Sequence, residues 1–225
     1  MRDPFFSAFQ LAGLAFFLTV VIARAVSVRR QQRTNPIRLS LTRDGVRRLV
    51  PAGVFVAVLV WGLEVVFYAI GRPLRVPAGL HVVLVSSLPA RLAGAALVVA
   101  GFALFVLAMA RLGASWRMGI DETNPGELVT DGVYALTRNP IYIFFDLYFV
   151  GTFLINGALL FLLFAILVAI GLHLQILEEE RFLFATFDGT YRAYTDRVGR
   201  YLRWRVLAPA RPRTRHVHIE REAPP

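Results

Sequence analysis

Two polar clusters stand at the ends of apolar stretches in the second half of this 225-residue chain. The first closes the run Gly126-Glu127-Leu128-Val129-Thr130-Asp131-Gly132-Val133-Tyr134-Ala135-Leu136-Thr137-Arg138-Asn139-Pro140-Ile141-Tyr142. The second is Glu178-Glu179-Glu180-Arg181. Asn139-Pro140 reads as a helix start, because Asn favours the N-cap and Pro the first helical position. The residue before Pro is itself pushed out of the helical region. Such a start presents backbone N–H groups, and with Arg138 beside it can hold a carboxylate or phosphate. The plain alternative is a capped membrane helix anchored to headgroups. Three adjacent carboxylates at a helix C-terminus oppose the macrodipole and repel one another, so a solvated end is the poorer reading. They point in different directions, and one facing a bundle needs a partner: Arg181, Arg138 or a bound cation would serve. One mouth thus offers both an anion site and a cation site. S-adenosylmethionine, a zwitterion with a positive sulfonium, needs both. Its carboxylate would meet Arg138, and its cationic part a Glu and the rings of Tyr134 and Tyr142.

The elements that must position these clusters are membrane helices. The chain is 56% hydrophobic with a mean hydropathy of +0.57, and its apolar residues come in blocks. That composition belongs to polytopic membrane proteins. The expected fold is all-α, with about five transmembrane helices. The first covers about 5–23, the second about 49–70 with Glu64 inside it, and the third about 88–110. Residues 141–176 are long enough for two crossings, and Asn156-Gly157 between them predicts a tight helical hairpin. Ala23-Arg24-Ala25 resembles a cleavage site, but the apolar run before it is too long for a signal peptide, so the first span is read as retained. No Cys is present, which excludes disulfides and thiolate chemistry. The four His are scattered, so no metal site is expected.

All 25 basic residues are Arg, and they flank apolar spans. The net charge of +10 therefore points to topology and anionic headgroups, not to nucleic acid. Residues 28–48 hold seven Arg, the 111–140 link and the C-terminal region together hold most of the rest, and 71–87 holds only Arg72 and Arg75. The positive-inside rule then puts the N-terminus outside and the C-terminus in the cytosol, as expected for a bacterial inner-membrane protein. Both polar clusters would face the cytosol. Residues 181–205 interleave aromatics with Arg and predict an amphipathic interfacial helix, with Asp188-Gly189 as a kink or break. The expected organisation is one membrane domain over 1–205 and a disordered basic tail over 206–225.

At these residues the sequence resembles a known family. Leu128-Val129-Thr130-Asp131-Gly132-Val133-Tyr134, Arg138-Asn139-Pro140-Ile141-Tyr142 and Glu179-Glu180-Arg181-Phe182-Leu183, with Phe187, Tyr191, Tyr194, Val198 and Arg200, look like the isoprenylcysteine carboxyl methyltransferase and phospholipid methyltransferase group. The likeness covers roughly 113–201, with Ser115-Trp116-Arg117 as a weaker part. It implies an integral-membrane methyltransferase using S-adenosylmethionine, held by Leu128, Val129, Gly132, Tyr134, Arg138, Asn139, Pro140, Tyr142, Glu179 and Glu180. Arg138 and Glu180 are the residues it implies for catalysis. Three positions depart from the pattern: Asn139 where His is frequent, Asp188 where Gly is usual, and the bulky Ile143-Phe144-Phe145 after Tyr142. These bear on the acceptor more than on the cofactor.

Methyl transfer from a sulfonium needs alignment and exclusion of water, not a metal. A carboxylate acceptor needs no base; an amine or thiol does, and Glu180 is the nearest candidate. The acceptor is expected to be lipid-like and to enter from the membrane. Asp146, one turn beyond Tyr142, is a second functional candidate, unless it pairs with Arg111 or Arg91. Glu64 is expected to hydrogen-bond between helices. The rival reading is a non-enzymatic transporter or assembly protein, which leaves the polar run unexplained. A nicotinamide-dependent membrane reductase ranks lower, since the Glu cluster repels a phosphate-rich cofactor.

Overall fold

The computed structural model describes residues 3–32, 46–113 and 127–202. Five α-helices account for most of them: α1 (Pro4–Gln32), α2 (Val46–Ala69), α3 (Leu88–Leu112), α4 (Pro140–Asn156) and α5 (Leu159–Arg197). Among the described residues there is no β-strand, only an isolated antiparallel bridge between Val83 and Ala158. Segments of α1, α2, α3 and α5 are long and apolar enough to cross a membrane, and α4 is a shorter apolar helix. The chain is an integral membrane protein of all-α class.

The hairpin between α4 and α5 follows from its two residues. Gly157 takes φ 71°, where a side chain is strained, and donates to the Phe153 carbonyl at 2.6 Å. A Cβ there would also fall 1.6 Å from the Val85 carbonyl oxygen. The 82–85 segment is laid against the turn by Leu84 N–H to Gly157 O (2.7 Å) and Leu159 N–H to Val82 O (2.9 Å).

Small residues let the helices approach, as expected where lipid supplies no hydrophobic drive between them. Gly94 of α3 and Gly151 of α4 face each other, and a Cβ on either would lie 2.6 Å from the other's carbonyl oxygen. Gly171 of α5 does the same for α2, where an added Cβ would meet Val54 Cγ2 at 2.3 Å. Aromatic rings fill the centre. Phe144 is fully buried, stacked on Phe105 at 4.6 Å and in ring contact with Phe17, Phe102 and Tyr148.

Helix α5 has 39 residues, about 58 Å of helix, so its second half stands well beyond a hydrocarbon core of about 30 Å. The aromatic and Arg-rich stretch continues the spanning helix, with a break at Asp188 (φ 32°, ψ −110°) where the kink was expected. The helix ends at Arg197, earlier than the expected 205, because Val198 turns extended (φ −117°, ψ 131°) and the chain folds back. Tyr191, Tyr194 and Val198 face inward onto Leu128, Leu183 and Phe187. Ser115-Trp116-Arg117 and the tail from 206 lie outside the described residues.

Candidate active site at the Arg-rich end of the bundle

The end of α3, the start of α4 and the middle of α5 meet at one end of the bundle. A 3-10 turn at Gly132–Ala135 leads into α4. Gly132 has φ 57°, and a Cβ there would be 3.0 Å from Arg111 Nε, so the turn closes tightly on the end of α3. Arg111 Nε donates to Asp131 at 2.9 Å. Arg111 is thereby committed away from Asp146, and Arg91 lies on α3 at the opposite end of the bundle. Val129 packs with Val133 and Tyr134 against α3, whereas Leu128 packs against the Tyr191–Tyr194 face of α5. Leu128, Val129 and Gly132 therefore shape the loop; their side chains bring no polar group to the site.

Asn139 and Pro140 begin α4 as the sequence predicts, with Pro at the first helical position. Asn139 does not cap with its side chain. Its backbone (φ −129°, ψ 54°) turns the amide toward the returning chain, and Nδ2 donates to the Arg200 carbonyl at 3.0 Å. The buried Thr137 hydroxyl accepts the Asn139 N–H and donates to the same carbonyl at 3.1 Å. Arg138 N–H donates to Gly199 O at 3.0 Å. Residues 198–201 thus strap across the start of α4.

Glu180 is the centre of charge. It is 6% exposed and sits between two guanidinium groups, Arg138 Nη2 at 2.9 Å and Arg200 Nη2 at 2.6 Å. Arg200 Nε adds contacts of 3.1 Å to both carboxylate oxygens. Its bond to Glu180 holds the Arg200 guanidinium above its usual proton affinity. Two guanidinium groups thus partner one buried carboxylate. Arg138 also lies over the Tyr191 ring, 5.9 Å from its centroid. Beside this network, Glu179 accepts the Tyr142 hydroxyl at 2.8 Å. Glu178 turns outward to Arg181 at 2.5 Å. Tyr134 is buried, its phenol pushed up by desolvation and then by Glu179, and its carbonyl accepts the Tyr194 hydroxyl at 2.6 Å.

Residues 89–189 match the phospholipid methyltransferase family. The matched segment runs from the second residue of α3 to the break in α5, and so contains every element of this site except the strap. The resemblance read from the motif runs is therefore to the group that the match identifies, a group of membrane methyltransferases; the match covers 101 of the 225 residues. No curated protein and no solved structure matches the chain.

Of the residues the sequence singled out in this family segment, Tyr134, Arg138, Asn139, Pro140, Tyr142, Glu179 and Glu180 come together at one mouth. Arg200 and Thr137 were missed as site residues. Arg200 belonged to the family-like pattern, but 181–205 was read as one interfacial helix; the strap brings Arg200 to Glu180. Among the described residues, no group of three His, Asp or Glu side chains forms a metal site.

Proposed function

We propose that this mouth binds S-adenosylmethionine and that the chain methylates a lipid-like acceptor delivered from the membrane. The reading rests on one observation above others: Arg138 and the partly exposed Arg200 form a charge network around the buried Glu180, directly beside the Tyr142–Glu179 pair. The residues fit the cofactor's zwitterion. Arg138 Nε is buried with no hydrogen-bond partner, so this guanidinium has a donor to give a carboxylate. The first N–H groups of α4 have no acceptor within the helix and point the same way. Glu179, with the rings of Tyr142 and Tyr134, supplies the negative and aromatic surface that a cation needs. The bound cofactor would supply an electrophilic methyl group on a sulfonium. Glu180 fixes Arg138 and Arg200 in place, and the strap keeps water from the inner side of the site. The Arg-rich end faces the cytosol by the positive-inside rule, where such a cofactor is found. An isoprenylcysteine-like carboxylate would be one such lipid-like acceptor.

Calorimetry on folded, detergent-solubilised protein tests this reading. Wild type should bind S-adenosylmethionine saturably, and Glu179→Gln/Glu180→Gln should lose that binding. Absence of binding in folded wild type would remove the cofactor assignment.

A further inference from the structure

The strap over the start of α4 is held through its backbone, and one side chain is central to the hold. Thr137 is fully buried between the 3-10 turn and α4. Its hydroxyl both accepts and donates: it accepts the Asn139 N–H at 3.2 Å and donates to the Arg200 carbonyl at 3.1 Å. Asn139 Nδ2 donates to the same carbonyl at 3.0 Å, so both lone pairs of that oxygen are taken. Arg138, between the two in the chain, donates its N–H to Gly199 O at 3.0 Å. Three consecutive residues thus grip two consecutive carbonyls.

The side chains run back the other way. Arg200 reaches from the strap to Glu180, and Glu180 reaches Arg138. The path from Thr137 through the Arg200 carbonyl, the Arg200 guanidinium, Glu180 and Arg138 returns to the residue beside Thr137. A closed ring of this kind fixes each member through the others. It has one weak link. The Arg200 side chain is 35% exposed, whereas Arg138 and Glu180 are at or below 10%. A long side chain in a solvent-screened pair gains little over the entropy of ordering it. Its contact with Glu180 is kept because the Arg200 backbone is already placed, and Thr137 with Asn139 places it.

We infer that Thr137 is a positioning residue for the cofactor's carboxylate: it sets the strap, the strap sets Arg200 on Glu180, and Glu180 so held aims the Arg138 guanidinium. Arg138 Nε is the buried donor without a partner, and its direction follows from the hold of Glu180 on Nη2. Thr137 acts through these groups and not by contact. The inference deepens the S-adenosylmethionine reading and rests on it.

Calorimetry with S-adenosylmethionine on folded, detergent-solubilised protein tests it. Thr137→Val removes the hydroxyl at similar size, and affinity should fall roughly ten-fold, the scale of one hydrogen bond. Thr137→Ser returns the hydroxyl and should restore most of the affinity. Arg200→Gln should weaken binding at least as much as Thr137→Val. Adding Thr137→Val to Arg200→Gln should cost nothing further, because the two act along one path. Wild-type affinity in Thr137→Val would overturn the inference, and so would losses that add in the double variant, the result a merely structural threonine gives. If Thr137→Val does not fold, Asn139→Ala reads the same carbonyl, with the same dependence on Arg200. Hydrogen exchange on cofactor-free protein reads the clamp apart from the ligand. The Arg138 N–H should exchange faster in Thr137→Val and recover in Thr137→Ser; unchanged exchange also overturns the inference. Failure of wild type to bind S-adenosylmethionine, with exchange still responding to Thr137, sinks the cofactor reading alone and leaves the placing of Arg138 standing.

Discussion

Both ends of the bundle bury a carboxylate, and they satisfy it differently. At the Arg-rich end, Glu180 lies between two guanidinium groups. At the opposite end, Glu64 of α2 is fully buried; one oxygen accepts the Leu74 N–H at 2.9 Å, and the other lies 3.9 Å from His81 Nδ1. His81 Nε2 meets the Leu74 carbonyl at 3.1 Å, so Glu64 and His81 tie the 72–81 segment back onto α2. The Leu74 N–H and the His81 ring thus make an anchoring knot around Glu64. The Glu180 network sets two guanidinium groups around one carboxylate, beside the Tyr142–Glu179 pair. The opposite end also has a cavity of about 310 Å³, lined by Asp3, Gln10, Arg91 and Asn156.

The largest expected effect separates these two carboxylates directly. Glu180→Gln leaves Arg138 and Arg200 facing each other across a buried gap, a loss on the order of 3–5 kcal/mol for a broken buried pair. Thermal unfolding should drop markedly, and S-adenosylmethionine binding should disappear. Glu64→Gln keeps an acceptor for Leu74 N–H, so its cost should be about 1–3 kcal/mol, with cofactor affinity unchanged in the folded fraction. If both variants lost cofactor binding equally, the two ends would not be functionally distinct.

The contact between α3 and α4 joins the two ends and should matter to both. A Cβ on Gly151 would meet Gly94 O at 2.6 Å and Val98 Cγ2 at 2.7 Å. Gly151→Ala should cost about 1–3 kcal/mol as an overpacked contact, read by thermal unfolding. Cofactor affinity should fall only as far as the folded fraction does. A loss of affinity in fully folded protein would mean that helix separation sets the geometry of the mouth.

Tyr142→Phe is a smaller change at the charged end. It removes the hydroxyl that Glu179 accepts and keeps the ring. The loss should be about 0.5–1.5 kcal/mol, or roughly three- to ten-fold in cofactor affinity, with little change in unfolding temperature. No change in affinity would detach the Glu179 pair from the cofactor reading and leave the site to Arg138 alone.

Much of this comparison was legible in the sequence where a local rule decides the structure. Asn139-Pro140 marked the start of α4, and Asn156-Gly157 marked the hairpin. Asp188 marked the break in α5, because each is set by backbone preferences within a few residues. The charged cluster was legible as a mouth because both of its runs end apolar stretches. The strap was not. Tyr191, Tyr194, Val198 and Tyr201 keep a helix-like spacing with Arg between them, yet the helix stops at Arg197. What stops it is long-range: Gly199 O and Arg200 O are taken by Arg138 N–H, Thr137 and Asn139, more than sixty positions away. No window along the chain carries that information. The same return sends Arg200 to Glu180 and Tyr201 to His173, so the error at one helix end hid two side-chain contacts.

The smallest effect compares two ion pairs at the same end. Arg111 and Asp131 form a pair with half or more of each side chain exposed, whereas Arg138 and Glu180 are both at or below 10%. If burial gives the Glu180 network its strength, Arg111→Gln should cost no more than about 1 kcal/mol, the range of exposed pairs. The remaining effect should shrink further in high salt, because solvent already screens the pair. Gly132 packs on the Arg111 side chain, so the Gln variant also tests whether the turn before α4 depends on that charge or only on contact. Unfolding temperature and cofactor affinity close to wild type would confine the energy of this end to the buried cluster. A drop as large as that of Glu180→Gln would instead make the loop's attachment to α3 the element that holds the mouth together.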